Sequence, residues 1–259
     1  MIMINIENAK IAFSNFLKNY NIDNGKIALK IKHIYKVAEI SKQIAIKNNF
    51  NEEEQKLAEL IGLLHDIGRF EQIRIYNTFV DCKSENHAEI GIRILFENGL
   101  IRKFVEDNKY DEIIKISILN HNKGRIDNDL DENVLKFCKV IRDADKVDIF
   151  RVLTTEELKD AYEKEDLSNE LVTEEIFNEF VNNKYIIYKN RITCADIMIS
   201  HIAYVFDFNF DYCLEKIKSE KYIEKLIERA NYKNQDTVNK MNDILRIANE
   251  YMDNRLRLI

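Results

Sequence analysis

The sequence predicts an all-α protein, on three observations. The chain has no proline and only six glycines in 259 residues, whereas all-β chains need many turn residues and α/β units need punctuated loops. Apolar residues recur at three- and four-residue spacing along most of the chain, the period of a helix with one buried face. A hydrophobic content of 46% supplies a core for one large domain or two small ones and argues against disorder.

Residues 6 to 20 read as a short amphipathic helix, a lid or brace, with Ile11, Phe13, Phe16, Leu17 and Tyr20 on one side. Gly25 opens a longer helix to about Asn48, whose inner positions are Ile27, Ile31, Ile34, Val37, Ala38, Ile40 and Ile44, with His33 among them. Asn51 followed by Glu54 has the form of an N-cap with its capping-box partner. It begins a helix from Glu52 to Leu64 that buries Leu57, Leu60, Ile61 and Leu64 and delivers His65-Asp66 into the core. Gly68 is expected to loosen the end of this helix, and Phe70 to Lys83 to form a less regular connector. Ser84 then caps a helix bearing His87, Ile90, Ile94 and Leu95, stopped by Asn98-Gly99.

A helix from about Tyr110 to Asn122 buries Ile113, Ile114, Ile116, Ile118 and Leu119 and ends on His121. Asn122 to Asp131 reads as an exposed loop that hangs Lys123 and Arg125 beside that histidine. From Asp131 to about Leu153 a further helix presents Val134, Leu135, Phe137, Val140, Ile141 and Ala144 and leads into Asp145-Lys146-Val147-Asp148. The charged stretch Thr155 to Glu170 breaks the periodicity. Thr173 and Thr193 look like caps of two more helices, and Asn209 to Leu258 reads as amphipathic helix. With no internal repeat and no low-complexity linker, residues 1–153 are expected to form the core and 154–259 a helical extension packed on it.

A formal charge of −6 provides no basic excess for counterion-driven binding to a nucleic-acid polymer. No apolar run approaches the roughly 20 residues that span a bilayer, and the N-terminus lacks the ordered basic, apolar and small-residue segments of a leader. A cytoplasmic protein with no membrane partner is expected. The cysteines, Cys82, Cys138, Cys194 and Cys213, lie far apart with no CxxC pair, which argues against a thiolate zinc site or redox motif; they are expected to be reduced and structural.

The chemistry concentrates in His33, His65-Asp66, His87, His121 and Asp145, each at a helix end or inner face, using four of the five histidines. A buried imidazole beside a buried carboxylate is costly unless something positive satisfies both, and a divalent cation is the most economical partner. Read singly, each residue has a plainer role: a hydrogen-bonded core histidine, an ion pair, a helix cap. His201 lies outside the set and reads as a core or interface histidine. Tyr204, Phe206, Phe208 and Phe210 read as core packing before a base-stacking patch.

In order and spacing, His33, Leu-Leu-His65-Asp66-Ile-Gly-Arg69, Asn-His87-Ala-Glu-Ile-Gly, His121 and Arg-Asp-Ala-Asp145-Lys resemble the HD-domain superfamily of metal-dependent phosphohydrolases and phosphodiesterases. The resemblance spans residues 26 to 153 and implies an HD-like helical bundle. It implies that His33, His65, Asp66 and Asp145 bind one ion, that Asp66 bridges, and that His87 and His121 hold a second. One or two divalent transition-metal ions are thus expected, iron or manganese first, with nickel, cobalt or zinc compatible with imidazole and carboxylate ligands. Such ions would activate a water for attack on phosphorus.

Asp66, Arg69 and Lys146 are the catalytic candidates, and Arg69, Lys123, Arg125 and Lys146 the candidates for substrate phosphates. Arg69 stands where related proteins often carry lysine. The expected activity is hydrolysis of a phosphoester or phosphoanhydride in a small phosphorylated molecule, a nucleotide. Alternatives are a dinucleoside polyphosphate hydrolase, a cyclic-nucleotide phosphodiesterase, a nucleotide-sensing scaffold without turnover and, last, a metal-dependent oxygenase. The lack of proline removes the glycine-tyrosine-proline signature and sets aside a cyclic di-GMP phosphodiesterase of that subtype. Substrate identity and oligomeric state are left open.

Overall fold

The computed structural model describes residues 4–162, 164–183 and 185–257. Among these every regular element is helical. The chain divides into two compact units, 1–148 and 149–259.

In the first unit, α1 (Ile6–Leu17), α2 (Gly25–Lys47), α3 (Glu52–Leu64), α4 (Gly68–Tyr76), α5 (His87–Ile92), α6 (Asp111–His121) and most of α7 (Glu132–Thr155) surround a core of Ile34, Ile44, Leu57, Leu60, Leu64, Phe70, Ile118 and Ile141. α2 is capped by the Asn24 side chain, which accepts from the backbone of Lys26 and Ile27, and α3 by the reciprocal Asn51–Glu54 box. α1 is a brace: Phe13, Phe16 and Tyr20 ring Phe70 of α4 with centroids 5.9, 5.9 and 5.5 Å away, although Ile11 points to solvent.

Two glycines set how closely the helices approach. A β-carbon on Gly62 would sit 2.7 Å from the Ala38 Cα, so α3 lies directly against the α2 backbone. One on Gly68 would sit 2.1 Å from the His87 carbonyl oxygen and 2.6 Å from the Gly91 nitrogen. Gly68 therefore does not loosen a helix end; it opens α4 and admits α5. The stretch expected as a connector likewise contains most of α4, with Phe70 and Ile73 buried. Ser84 is not the cap of α5. Asn86 is, its side chain accepting from the Ala88 backbone at 3.0 Å, while the Ser84 hydroxyl donates to the Val80 carbonyl. In α6 only Ile114 and Ile118 of the expected apolar set are fully buried.

The second unit holds α8 (Leu158–Tyr162), α9 (Glu174–Asn178), α10 (Cys194–Ile202), α11 (Asp211–Ser219), α12 (Tyr222–Ala230) and α13 (Gln235–Arg257). Thr173 and Thr193 cap α9 and α10 as the sequence indicates. The tail expected as amphipathic helix is helical in three pieces, broken at Lys221 and Asn231, both left-handed; Leu258 lies outside the described residues. Phe206 packs against Phe180 and Tyr251, with centroids 5.1 and 4.9 Å away, and Phe208 is buried. None of the four cysteines is in a disulfide, but Cys82 is exposed and has no core role. No described helix is long and apolar enough to cross a membrane.

Candidate metal centre

Five elements of the first unit bring their residues to one point. His33 comes from the middle of α2, His65 caps the end of α3 with Asp66 in the following turn, and His87 opens α5. His121 closes α6, and Asp145 projects from α7. The four imidazoles and Asp66 are buried, at 0–6% exposure.

Asp66 is the centre. Its Oδ2 lies 3.7 Å from both His33 Nε2 and His65 Nε2, and Asp145 Oδ1 lies 3.0 and 3.8 Å from the same two nitrogens. Its Oδ1 faces the other way, 3.2 Å from His87 Nε2 and 3.6 Å from His121 Nε2. Two sets, His33–His65–Asp145 and His65–Asp66–His121, each converge with ligand atoms within 4.8 Å of one another.

The opposite nitrogen of every imidazole is committed. His33 Nδ1 donates to Asp148 Oδ2 at 2.7 Å, and His65 Nδ1 to the Gly62 carbonyl at 2.7 Å. His87 Nδ1 donates to Asp81 at 2.8 Å, and His121 Nδ1 to the Ile118 carbonyl at 2.6 Å. Carbonyls and carboxylates only accept, so each Nδ1 carries a proton, and in the neutral imidazole each Nε2 turns a lone pair inward. Two consequences test the fit to a cation. His33 Nε2 and His65 Nε2 are buried without a hydrogen-bond partner. His87 Nε2 and His121 Nε2 stand 2.9 Å apart, a repulsive contact between lone pairs unless a positive charge joins them. Two nitrogens at right angles around an ion are roughly 3 Å apart for bonds of about 2.1 Å. The residues therefore fit one or two divalent ions.

Electrostatics agree. Burial would raise the Asp66 carboxyl, but the Lys30 ammonium, His65 and the imidazoles of His121 and His87 outweigh it and hold the group well below the usual carboxylate range. Asp145 is held low against burial by His33 and His65. Burial pushes His65 down to about 3, so it stays neutral. His33 is opposed by burial and Lys30, but Asp145 and Asp148 raise it.

Of the expected phosphate ligands, Arg69 is at the site. Its Nε is 3.6 Å from Asp66 Oδ1 and buried without a hydrogen-bond partner, while Nη1 is held by Gln72 Oε1, the Phe79 carbonyl and Asp81 Oδ1 at 2.7, 2.6 and 2.9 Å. Lys146 follows Asp145 and is buried. Lys123 pairs with Asp127 at 2.6 Å, and Arg125 is exposed on the same loop. Arg142 anchors that loop by donating to the carbonyls of Asn120, Lys123 and Gly124.

Three residues of the site escape the sequence reading. Lys30 donates to Asp66 Oδ2 at 2.7 Å. Asp148 and Asp81 hold two of the imidazoles. Lys30 and Asp148 were within reach of helical spacing, each three residues from a ligand, His33 or Asp145. Asp81 lies in a short 3-10 turn, Asp81–Lys83, with no periodicity to mark it. His201 belongs to the second unit, where burial and Arg191 push it down to about 4.

An all-helical protein with buried histidines and aspartates converging on a cation-sized centre is the class that fold and site define. Residues 31–149 match the family model of the HD domain, and this part of the chain is an HD domain. No curated protein and no solved structure matches the chain.

Proposed function

We propose that the protein is a metal-dependent phosphohydrolase acting on a phosphoester or phosphoanhydride of a nucleotide. The observation that carries the reading is Asp66, whose two oxygens face two different histidine groups, as a bridging carboxylate must. His33, His65, Asp66 and Asp145 would hold one ion, and Asp66, His87 and His121 a second. When bound, such ions lower the pKa of water and polarise a phosphoryl oxygen. Iron and manganese remain the first choices.

The chain's own groups supply the rest. Lys30 and Arg69 flank Asp66 and offer positive charge to substrate phosphate oxygens, with Arg69 Nε the unspent donor. Phe79, partly exposed, lies 5.6 Å from the Lys30 ammonium and 5.8 Å from the Arg69 guanidinium. That aromatic face beside two cations favours a phosphate carrying a base over a simple phosphate ester. Lys146, next to Asp145, is the remaining catalytic candidate.

The test is metal content by elemental analysis of protein purified without chelators, for wild type and Asp66→Ala. Hydrolysis of dinucleoside polyphosphates, nucleoside monophosphates and cyclic nucleotides is assayed alongside. Two ions per chain and turnover of one class, both lost in Asp66→Ala, are expected. Wild type that binds ions and turns over none of these would overturn the nucleotide assignment in favour of a sensing scaffold.

A further inference from the structure

The carboxylate of Asp81 touches both a candidate ligand, His87, and the guanidinium of Arg69. Its Oδ1 accepts from Arg69 Nη1 at 2.9 Å and Gln72 Nε2 at 2.8 Å, and its Oδ2 from Asn122 Nδ2 at 3.3 Å. Both oxygens lie 2.8–2.9 Å from His87 Nδ1. Gln72 is fully buried and ties the same turn to the Ser84 hydroxyl and the Glu85 carbonyl at 2.9 Å each. Asn122, the residue after His121, also donates to Asn86, the cap of α5. A network this dense around one half-exposed carboxylate is more than a turn requires.

We propose that Asp81 is the positioning residue of the second metal position: it fixes His87 as the Nδ1–H tautomer, turns its Nε2 lone pair toward Asp66 Oδ1, and anchors Arg69 through the same carboxylate. The inference rests on the metal-dependent reading above. Its logic is the asymmetry of the four imidazoles. His65 and His121 are held by carbonyls three residues back in their own helices. His33 and His87 depend on carboxylates outside their own helices, Asp148 far along the chain and Asp81 in the turn before α5. Asp148 serves the His33–His65–Asp145 set, and Asp81 serves the His87–His121 set. Removing either charge should therefore disable one position and spare the other.

The experiment titrates manganese(II) into the chelator-stripped full-length chain by calorimetry, for wild type, Asp81→Asn and Asp148→Asn. Wild type should take up two ions. In Asp81→Asn one ion should bind with wild-type affinity and the other about 10- to 100-fold more weakly, the usual effect of losing an outer-shell partner. Asp148→Asn should weaken the other ion instead. A general loss of structure would lower both affinities together, so equal weakening of both ions overturns the proposal, as does unchanged binding of both. Wild type that binds fewer than two ions overturns it as well, and binding of none sinks the metal-dependent reading itself. Should Asp81→Asn not fold, the wild-type protein decides: imidazole ¹⁵N shifts of metal-free His87 showing the Nδ1–H tautomer support Asp81 as its anchor, and the Nε2–H tautomer overturns it.

Discussion

Gly68→Ala is the sharpest test of how the helices are brought together. A β-carbon at this position would lie 2.1 Å from the His87 carbonyl oxygen and 2.6 Å from the Gly91 nitrogen. Both are backbone atoms, so no side chain can rotate away. Restoring even a 3.0 Å contact to the carbonyl separates α4 from α5 by the difference, about 0.9 Å. Overpacking of this kind costs about 1–3 kcal/mol, and the rigid obstacle places it near the top; the helix propensity gained by alanine returns up to about 1 kcal/mol. A net loss of about 2 kcal/mol should lower the melting temperature by roughly 4–8 °C for a unit of this size. His87 moves with α5, by more than the roughly 0.5 Å that a preorganised site tolerates. Manganese affinity at the His87–His121 position should then fall at least about tenfold. Gly25→Ala is the control, because nothing lies within 4 Å of its β-carbon and a small gain in stability is expected. The assay is a thermal melt with manganese titration. Gly68→Ala melting within a degree of wild type and binding both ions normally would refute the reasoning.

Two further outcomes follow from buried charge. His201 is held near 4 by burial and Arg191, below the roughly 6.5 of an unfolded histidine. Between these values the unfolded state binds more protons, so stability falls as pH drops from about 6.5 toward 4, by up to about 3 kcal/mol. Chemical denaturation across pH 4.5–7 should show that slope reduced in His201→Leu relative to wild type, and parallel profiles would refute it. Glu59, buried in α3, lies 3.0 Å from Lys10 and 3.0 Å from Lys42. Removing both lysines as Lys10→Met/Lys42→Met strands the carboxylate and should cost about 3 kcal/mol, whereas Glu59→Met, which removes the charge itself, should cost less than about 1 kcal/mol. Equal destabilisation in urea melts would refute this account of the pair.

The ligands were legible because each of them closes, opens or interrupts an apolar helix, and a polar residue in such a place has no packing reason to be there. The helices carrying them were legible for the same reason: α2, α3 and α7 have long periodic apolar faces, and α3 has a complete capping box. α4 was not, because of its four buried residues only Phe70 and Ile73 are large and apolar, too few to make a stripe to count. Ser84 and Asn86 are equally good caps on paper. The choice falls to Asn86 because Val80 and Gln72 occupy the Ser84 hydroxyl, a tertiary fact. The breaks in the tail fall on left-handed Lys221 and Asn231, where no glycine or proline announces them; asparagine accepts that conformation readily, but lysine gives no signal.

The acceptors behind the histidines divide along the same line. A helix leaves its last carbonyls without intrahelical partners, so a histidine at a C-terminus finds an acceptor in its own last turn, as His65 does in Gly62 and His121 in Ile118. A histidine in mid-helix or at an N-terminus has no such carbonyl, because those groups are already bonded or point away. His33 and His87 are in these positions, and their Nδ1 protons must be taken by residues that the fold brings from elsewhere. Helix position alone therefore determines which ligands are self-supporting and which need a carboxylate from outside their own helix. The single-helix ligands tolerate change outside their own turn, while each of the other two makes its metal position depend on one acidic residue, Asp148 or Asp81.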